Sequence, residues 1–175
     1  MQAQTTTMTG IADAQQQFRC LIERHRKIVF KVANTYCRNP HDRADLAQDI
    51  VTQCWRAFPQ YDAARSFSTW LYRVALNVAI SSVRTTRLRD AHAVALDDEL
   101  HDIAADQSDA PDERIGALYR VIDRLDPLHR ALLLLYLDER SYRDIAEILG
   151  LTETNVATKI GRLKQRLRED LADHA

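Results

Sequence analysis

The stretch Tyr142-Arg-Asp-Ile-Ala-Glu-Ile-Leu-Gly-Leu-Thr-Glu-Thr-Asn-Val156 predicts two helices joined by a tight turn. Ser141 is a suitable N-cap for the first helix, and Gly150 supplies the left-handed residue that ends it. Thr152 caps a second helix, and Val156 is placed to pack that helix back on the first. This arrangement indicates a helix-turn-helix.

The second of these helices has the composition of a DNA recognition helix. Short polar side chains stand at its start, and cations follow with no acidic residue between Thr154 and Arg168. Short polar groups suit base edges, and cations suit phosphates. The alternative is a plain three-helix bundle with a solvated basic face. The candidate DNA-binding residues are Thr152, Thr154, Asn155, Ala157, Thr158, Lys159, Arg162 and Lys164.

The N-terminal half also has a helical pattern, and no convincing alternating strand interrupts it. A first helix is predicted to run from near Asp13, which resembles the start of a capping box, to Tyr36. Pro40 begins a second helix and Pro59 stops it, because proline suits a first turn but not a helix interior. A third helix is predicted from Phe67 to Arg84 or somewhat beyond.

The charges are unevenly distributed, although the net charge of the 175-residue chain is only −1. Residues 1–89 carry 13 basic and 6 acidic side chains, whereas residues 90–113 carry 9 acidic and no basic ones. Such asymmetry points to a polyanionic partner. The predicted fold is all-α: a disordered tail (1–13), a helical domain (14–89), a flexible acidic linker (90–111) and a second helical domain (112–175).

Composition argues against a membrane or disulfide-bonded protein. The longest apolar run, Ala131 to Leu137, is far shorter than the roughly 20 residues of a membrane span, and no signal peptide opens the chain. Cys20, Cys37 and Cys54 form no CxxC pair, so we expect three small buried residues. These features predict a cytoplasmic protein without membrane insertion.

An enzymatic alternative rests on three residues of the second helix. His41, Asp45 and Asp49 are spaced like ligands in a di-metal helical bundle. Such bundles need carboxylates or Glu-x-x-His motifs on facing helices, and the first and third helices lack them. We therefore predict no metal, no cofactor and no catalytic residue.

Two patterns in the chain resemble conserved domains of one family. Leu125-Asp-Pro127 followed by Ser141-Tyr-Arg-Asp-Ile-Ala146 resembles the fourth domain of sigma-70 family factors of the extracytoplasmic-function (ECF) group. Asp45-Leu-Ala-Gln-Asp49 with Trp55, and then Phe67-Ser-Thr-Trp-Leu-Tyr-Arg-Val-Ala-Leu-Asn77, resembles their second domain. Both patterns come in the family's order, flank an acidic linker and together cover about residues 17–171.

This resemblance implies a subunit that binds core RNA polymerase and itself catalyses no reaction. It implies recognition of the minus-thirty-five promoter element by the fourth domain and assistance in opening the minus-ten element by the second. The implied contacts on polymerase are the clamp of the largest subunit and the flap of the second largest, and an anti-sigma protein or other regulator is a further possible partner class. The candidate residues for the minus-ten element are Tyr61, Arg65, Arg73, Asn77, Arg84 and Arg87.

An acidic stripe on the second helix is the candidate for polymerase binding. Asp42, Asp45 and Asp49 stand at i, i+3 and i+7 and so share one helix face, and Gln48 also matches a family position. The alternative is a solvated face with acids near a helix N-terminus. Where Asp-Ala-Glu-Asp is common in the family, this chain has Asp42-Arg-Ala-Asp45, so one acid is lost and the cation Arg43 is added, which suggests a brake on polymerase affinity.

Three questions stay open in the sequence. Tyr61 either stacks on a base or covers an adjacent core, whereas Phe67 and Trp70 are expected in the core. The linker either imitates nucleic acid in the polymerase channel or is a passive tether.

The second candidate function is a self-sufficient helix-turn-helix regulator whose N-terminal module senses a ligand or dimerises. Ser81 and Thr154-Asn-Val-Ala157 depart from the family pattern, so the promoter sequence is not predicted.

Overall fold

The computed structural model describes the backbone of residues 3–94 and 122–172 and the side chains of 13–86 and 122–170. Within these ranges the chain is all-α and contains no strand, which confirms the predicted fold class. The first half contains α1 (Ala3–Tyr36), α2 (Pro40–Ala57), a 3-10 turn (Phe58–Gln60) and α3 (Phe67–Val94). The second half contains α4 (Pro127–Leu137), α5 (Tyr142–Leu149) and α6 (Glu153–Ala172).

Helix α1 begins earlier than the sequence predicts. It starts at Ala3, so Asp13 lies inside the helix, and the expectation of a disordered tail over 1–13 is wrong from Ala3 onward. No proline interrupts this segment. Extending an existing helix adds a backbone hydrogen bond per residue without a new nucleation cost.

The first half is a three-helix bundle in which each helix buries one stripe. Asn39 caps α2 by accepting a hydrogen bond from the His41 N–H, as its position before Pro40 predicts. Each fully buried aliphatic side chain contributes about 1.5–3 kcal/mol. The buried residues are Phe18, Ile28, Val29, Val32, Ala33, Tyr36, Leu46, Ile50, Cys54, Phe58, Phe67, Leu71, Tyr72, Ala75, Leu76 and Ala79.

The three free cysteines differ in environment. Cys54 is buried in the bundle and Cys37 is half-buried, but Cys20 is exposed, so the expectation that it is buried is wrong. Cys20 follows the buried Phe18 by two positions, which turns it about 200° around the helix toward solvent.

Side chains cap the helix starts of the second half. The Asp126 carboxylate accepts hydrogen bonds from the Leu128 and His129 N–H groups, and the Ser141 hydroxyl accepts one from the Asp144 N–H. Gly150 ends α5 with φ of 67°, in the left-handed region. The core of this half comprises Leu125, Ala131, Leu132, Leu133, Leu135, Ile145, Ala146, Ile148, Val156, Ile160 and Leu163.

The two halves pack against each other, a contact that the sequence did not predict. The Tyr36 hydroxyl in α1 donates a hydrogen bond to the Pro127 carbonyl at the start of α4, with an O–O distance of 2.6 Å. Buried side chains of both halves form one continuous cluster. Helix α3 extends to Val94, so the first residues of the predicted linker are helical, and residues 95–121 lie outside the described part.

Candidate nucleic-acid and protein interfaces

The predicted recognition helix is α6, and its start is exposed. The Thr152 hydroxyl accepts a hydrogen bond from the Asn155 N–H, and the Thr158 hydroxyl donates to the Thr154 carbonyl. Buried Val156 and Ile160 hold the opposite face of α6 on the rest of the bundle. The candidate residues exposed along this helix and its cap are Thr152, Thr154, Asn155, Ala157, Thr158 and Arg162.

A cationic groove lies beside this exposed start. Lys159, Arg162 and Arg166 line it at i, i+3 and i+7 of α6, together with Leu163 of the same helix and His129 of α4. Such a set of donors suits the phosphates of a nucleic-acid backbone. His129 was not a candidate in the sequence, since only the folded chain brings α4 beside α6.

Lys164 faces a different direction from Lys159, Arg162 and Arg166. Its ammonium group lies 4.2 Å from the centroid of the Tyr136 ring, a cation–π arrangement with α4. It is also half-buried. The structure therefore separates Lys164 from the cationic groove, and its predicted role in DNA binding stays a prediction.

Asp126, the N-cap of α4, contributes a carboxylate next to the groove residue His129. Burial alone would raise the pKa of Asp126, but hydrogen bonds from His129 and the Leu128 N–H, with the charge of His129, lower it below its ordinary value. The carboxylate is therefore ionised at neutral pH. It pairs with the ring Nδ1 of His129, a residue that lines the groove, and so orients that ring.

The candidate minus-ten residues lie on the exposed face of α3 and in the loop before it. Arg73, Asn77 and Arg84 are all exposed and share one helix face at i, i+4 and i+11. Arg65 is exposed in the loop, which the Asp62 carboxylate stabilises by accepting a hydrogen bond from the Ala64 N–H at 2.9 Å. The side chain of the sixth candidate, Arg87, lies outside the described residues.

Tyr61 belongs to an aromatic cluster that includes residues expected in the core. Its ring centroid lies 5.3 Å from that of Phe67, 5.2 Å from that of Trp70 and 5.9 Å from that of Phe58. Its hydroxyl donates to the Arg65 carbonyl at 2.8 Å. These contacts favour a role in covering the core and shaping the loop, and its stacking on a base stays a prediction.

The acidic stripe of α2 is exposed to solvent. Asp42, Asp45, Gln48 and Asp49 are all exposed, and none of the three carboxylates forms an ion pair with another described residue. An unneutralised carboxylate row suits a basic partner surface. Arg43 is half-buried and donates to the Asn34 side-chain oxygen of α1 at 3.1 Å, which the sequence did not predict.

Neither a metal site nor a membrane span is found in the part of the chain that the structure describes. Over these residues no group of three or more His, Cys, Asp or Glu side chains could hold a metal ion. None of the helices described is long and apolar enough to cross a bilayer.

Comparisons with known proteins agree with this geometry. A family model described as "Sigma-70 region 2" matches residues 21–89, and one described as "Sigma-70, region 4" matches residues 115–167, more than half of the chain together. Among the relatives is the ECF RNA polymerase sigma factor SigE of Mycolicibacterium smegmatis, 30% identical over 95% of this chain and 66% of its own length. Another is SigW of Bacillus subtilis, an ECF RNA polymerase sigma factor that is 26% identical over 91% of both chains.

A solved structure has the same fold. The sigma factor RpoE in complex with the anti-sigma factor NepR from Bartonella quintana matches with a TM-score of 0.66 and 19% identity. The match covers 91% of this chain and 97% of that one.

Proposed function

Because the chain belongs to the ECF group of the sigma-70 family, we propose how its surfaces are divided between RNA polymerase and promoter DNA. An ECF sigma factor binds core RNA polymerase and directs it to promoters at the start of transcription. The proposal rests above all on one observation. A helix-turn-helix with an exposed polar start and a cationic groove shares a chain with an unneutralised carboxylate row.

Helix α6 binds the minus-thirty-five element in this proposal. Thr154, Asn155 and Ala157 face base edges in the major groove, because they are short and exposed at the start of the helix. Lys159, Arg162 and Arg166 hold the phosphates that flank those bases, and His129 adds a fourth donor to the same groove.

The minus-ten element binds across the loop 61–66 and α3. Arg65, Arg73 and Arg84 supply cations for the backbone of the separated strand, and the Asn77 amide offers both a donor and an acceptor to an unpaired base. We place these contacts in a domain over residues 14–89 and the minus-thirty-five contacts in a domain over 112–175. The two family matches fall inside these bounds.

The acidic stripe of α2 docks on the polymerase clamp. The C-terminal domain, residues 112–175, binds the polymerase flap. The subunit supplies no catalytic residue, and we infer no cofactor, because bond formation belongs to polymerase. We infer that it acts in the cytoplasm, because RNA polymerase and the DNA template are located there. The fold relative bound to an anti-sigma factor supports a further partner of that class.

Mixing the full chain with core RNA polymerase tests this function. We expect run-off transcription from the cognate promoter only when both are present, and tight promoter binding only by the holoenzyme. A self-sufficient regulator would instead shift operator DNA alone and leave run-off transcription unchanged. The cognate promoter is selected from random DNA by the holoenzyme, because the sequence does not predict it.

Removing single cations from α6 should weaken promoter binding. Lys159→Ala and Arg162→Ala each delete a donor of the cationic groove, so we expect the holoenzyme to bind promoter about 5- to 30-fold more weakly. The slope of log affinity against log salt should fall by roughly one unit if the lost contact is to phosphate. Titrations at several salt concentrations measure both quantities.

Arg26→Ala is the matched control for these variants. It removes one cation from α1, where Arg26 pairs with Glu23 far from α6 in sequence. Its promoter affinity and salt slope should equal those of the parent. Equal behaviour of all three variants would contradict the assignment of α6 as the recognition helix.

A further inference from the structure

His129 differs in kind from the other charged residues of the cationic groove. Lysine and arginine stay cationic around neutral pH, whereas histidine gains or loses its charge there. Among the described residues that line the groove, His129 is the one with such a side chain. The groove has a volume of about 300 Å³, and the His129 side chain is 30% exposed, so a bound phosphate can reach its ring.

Asp126 decides which ring nitrogen of His129 carries a proton. Its Oδ1 accepts hydrogen bonds from the N–H groups of Leu128 and His129 at 3.0 and 3.1 Å, and its Oδ2 pairs with the His129 ring Nδ1. An ionised carboxylate can only accept hydrogen bonds, so Nδ1 must be the donor in this pair. In the neutral ring the second nitrogen, Nε2, therefore carries a lone pair and no proton.

The Asp126 carboxylate keeps its charge while a histidine titrates. Burial alone would raise the pKa of Asp126, but the hydrogen bonds from His129 and the Leu128 N–H, with the charge of His129, hold it below its ordinary value. An acid with a lowered pKa stays ionised at every pH above that value, so the constraint on Nδ1 persists throughout the neutral range.

The charges around the His129 ring oppose one another. Asp126 attracts a protonated ring from the cap of α4, whereas the three α6 cations of the groove repel it. Within the part of the chain that the structure describes, these four side chains are the charged neighbours of His129 at the groove. A phosphate in the groove offsets the repulsion and adds an attraction of its own, so phosphate binding favours proton uptake by His129.

We propose that Asp126 is a positioning residue that makes His129 a proton-dependent donor to the phosphate backbone of the minus-thirty-five element. The neutral ring offers a phosphate only the lone pair of Nε2, which the phosphate repels, whereas the protonated ring offers an N–H at that atom. The inference rests on the proposed function, because the phosphate is that of promoter DNA bound at α6. It adds that the holoenzyme binds its promoter more tightly as the pH falls below neutral.

Three variants of the full chain, each assembled with core RNA polymerase, test this inference. His129→Gln keeps a hydrogen-bonding side chain that does not titrate. Asp126→Asn keeps the helix cap, because asparagine caps as well as aspartate, but its amide can donate to Nδ1 and leave the proton of a neutral ring on Nε2. His41→Gln is the matched control, since it removes an imidazole that is exposed on α2 outside the groove.

Promoter affinity is measured at one salt concentration from about pH 8.5 down to about pH 6, the range that spans histidine titration. Each profile is divided by that of His129→Gln, which removes the contribution of polymerase groups that titrate in every sample. The relative affinity of the parent and His41→Gln should rise about 3- to 10-fold over this range, because uptake of one proton changes affinity by at most about tenfold per pH unit.

Asp126→Asn should lose most of this pH dependence. At about pH 8.5 its holoenzyme should bind the promoter at least as tightly as the parent does, because its neutral His129 ring can already donate from Nε2. A residue that only capped α4 would leave the pH profile unchanged when replaced by another good cap.

A parent profile that coincides with that of His129→Gln would overturn the role of His129. A profile of Asp126→Asn that coincides with the parent's would overturn the positioning role of Asp126. Failure of the proposed function is a different result, in which Lys159→Ala and Arg162→Ala bind the promoter as tightly as the parent. If those two variants weaken binding while the pH profiles all coincide, α6 is still the recognition helix and only the proton-dependent contact is wrong.

Discussion

Replacing Asp45 and Asp49 with lysine is expected to abolish co-purification of the chain with core RNA polymerase. Both carboxylates are exposed on α2 and form no ion pair with another described residue, so reversal disturbs no contact seen in the fold. Losing one partner of a buried interfacial charge pair costs about 2–5 kcal/mol, or roughly 30- to several-thousandfold in affinity. Affinity capture with tagged core polymerase measures the loss, and circular dichroism should show unchanged helix content.

The variant Asp13→Lys/Glu23→Lys is the control for that experiment. It makes the same change in net charge on α1, where both side chains are exposed. It should still co-purify with polymerase. Undiminished capture of the Asp45→Lys/Asp49→Lys variant would favour the alternative that the α2 stripe is simply solvated.

Arg43 now has a structural explanation beside the predicted brake on polymerase affinity. Its hydrogen bond to Asn34 ties α2 to α1, and the side chain is half-buried between solvent and the fold. The Arg43→Glu substitution both adds an acidic side chain and removes the hydrogen bond to Asn34. A tighter complex with polymerase would therefore reflect both changes. Comparison with Arg43→Gln separates the two effects, because glutamine adds no acid.

Helix boundaries were predictable where they depend on local chemistry. Asn39, Asp126, Ser141 and Thr152 each carry a side-chain oxygen that accepts an N–H at the first turn of its helix. Gly150 supplies a conformation that other residues rarely adopt. These signals act over two or three residues, so one sequence contains them in full.

Contacts between distant segments were not predictable in the same way. Asp138 meets Lys31 and Tyr72 across 107 and 66 residues, and nothing in the turn that holds it marks a partner. His129 similarly joins the cationic groove only because α4 packs beside α6. The predicted start of α1 was wrong for another reason. Asp13 offers a good cap, but the residues before it continue the helix back to Ala3.

A buried and an exposed leucine of α4 are expected to differ greatly in their effect on the stability of the DNA-binding domain. Leu132 is fully buried in α4, whereas Leu137 of the same helix is 66% exposed. Leu132→Ala should lower the free energy of unfolding by about 2–5 kcal/mol, because it removes buried methyl groups and leaves a cavity. A domain has only about 5–15 kcal/mol in total, so this loss is a large part of it.

Leu137→Ala makes the same chemical change at the exposed position, and we expect it to alter the free energy of unfolding by at most about 0.5 kcal/mol. Urea unfolding followed by circular dichroism measures both variants. Because Leu132 belongs to the same buried cluster as Val156 and Ile160 of α6, the holoenzyme with Leu132→Ala should lose promoter binding at high temperature and regain it on cooling, when the domain refolds. Equal urea midpoints for the two variants would contradict the assignment of Leu132 to a core that stabilises this domain.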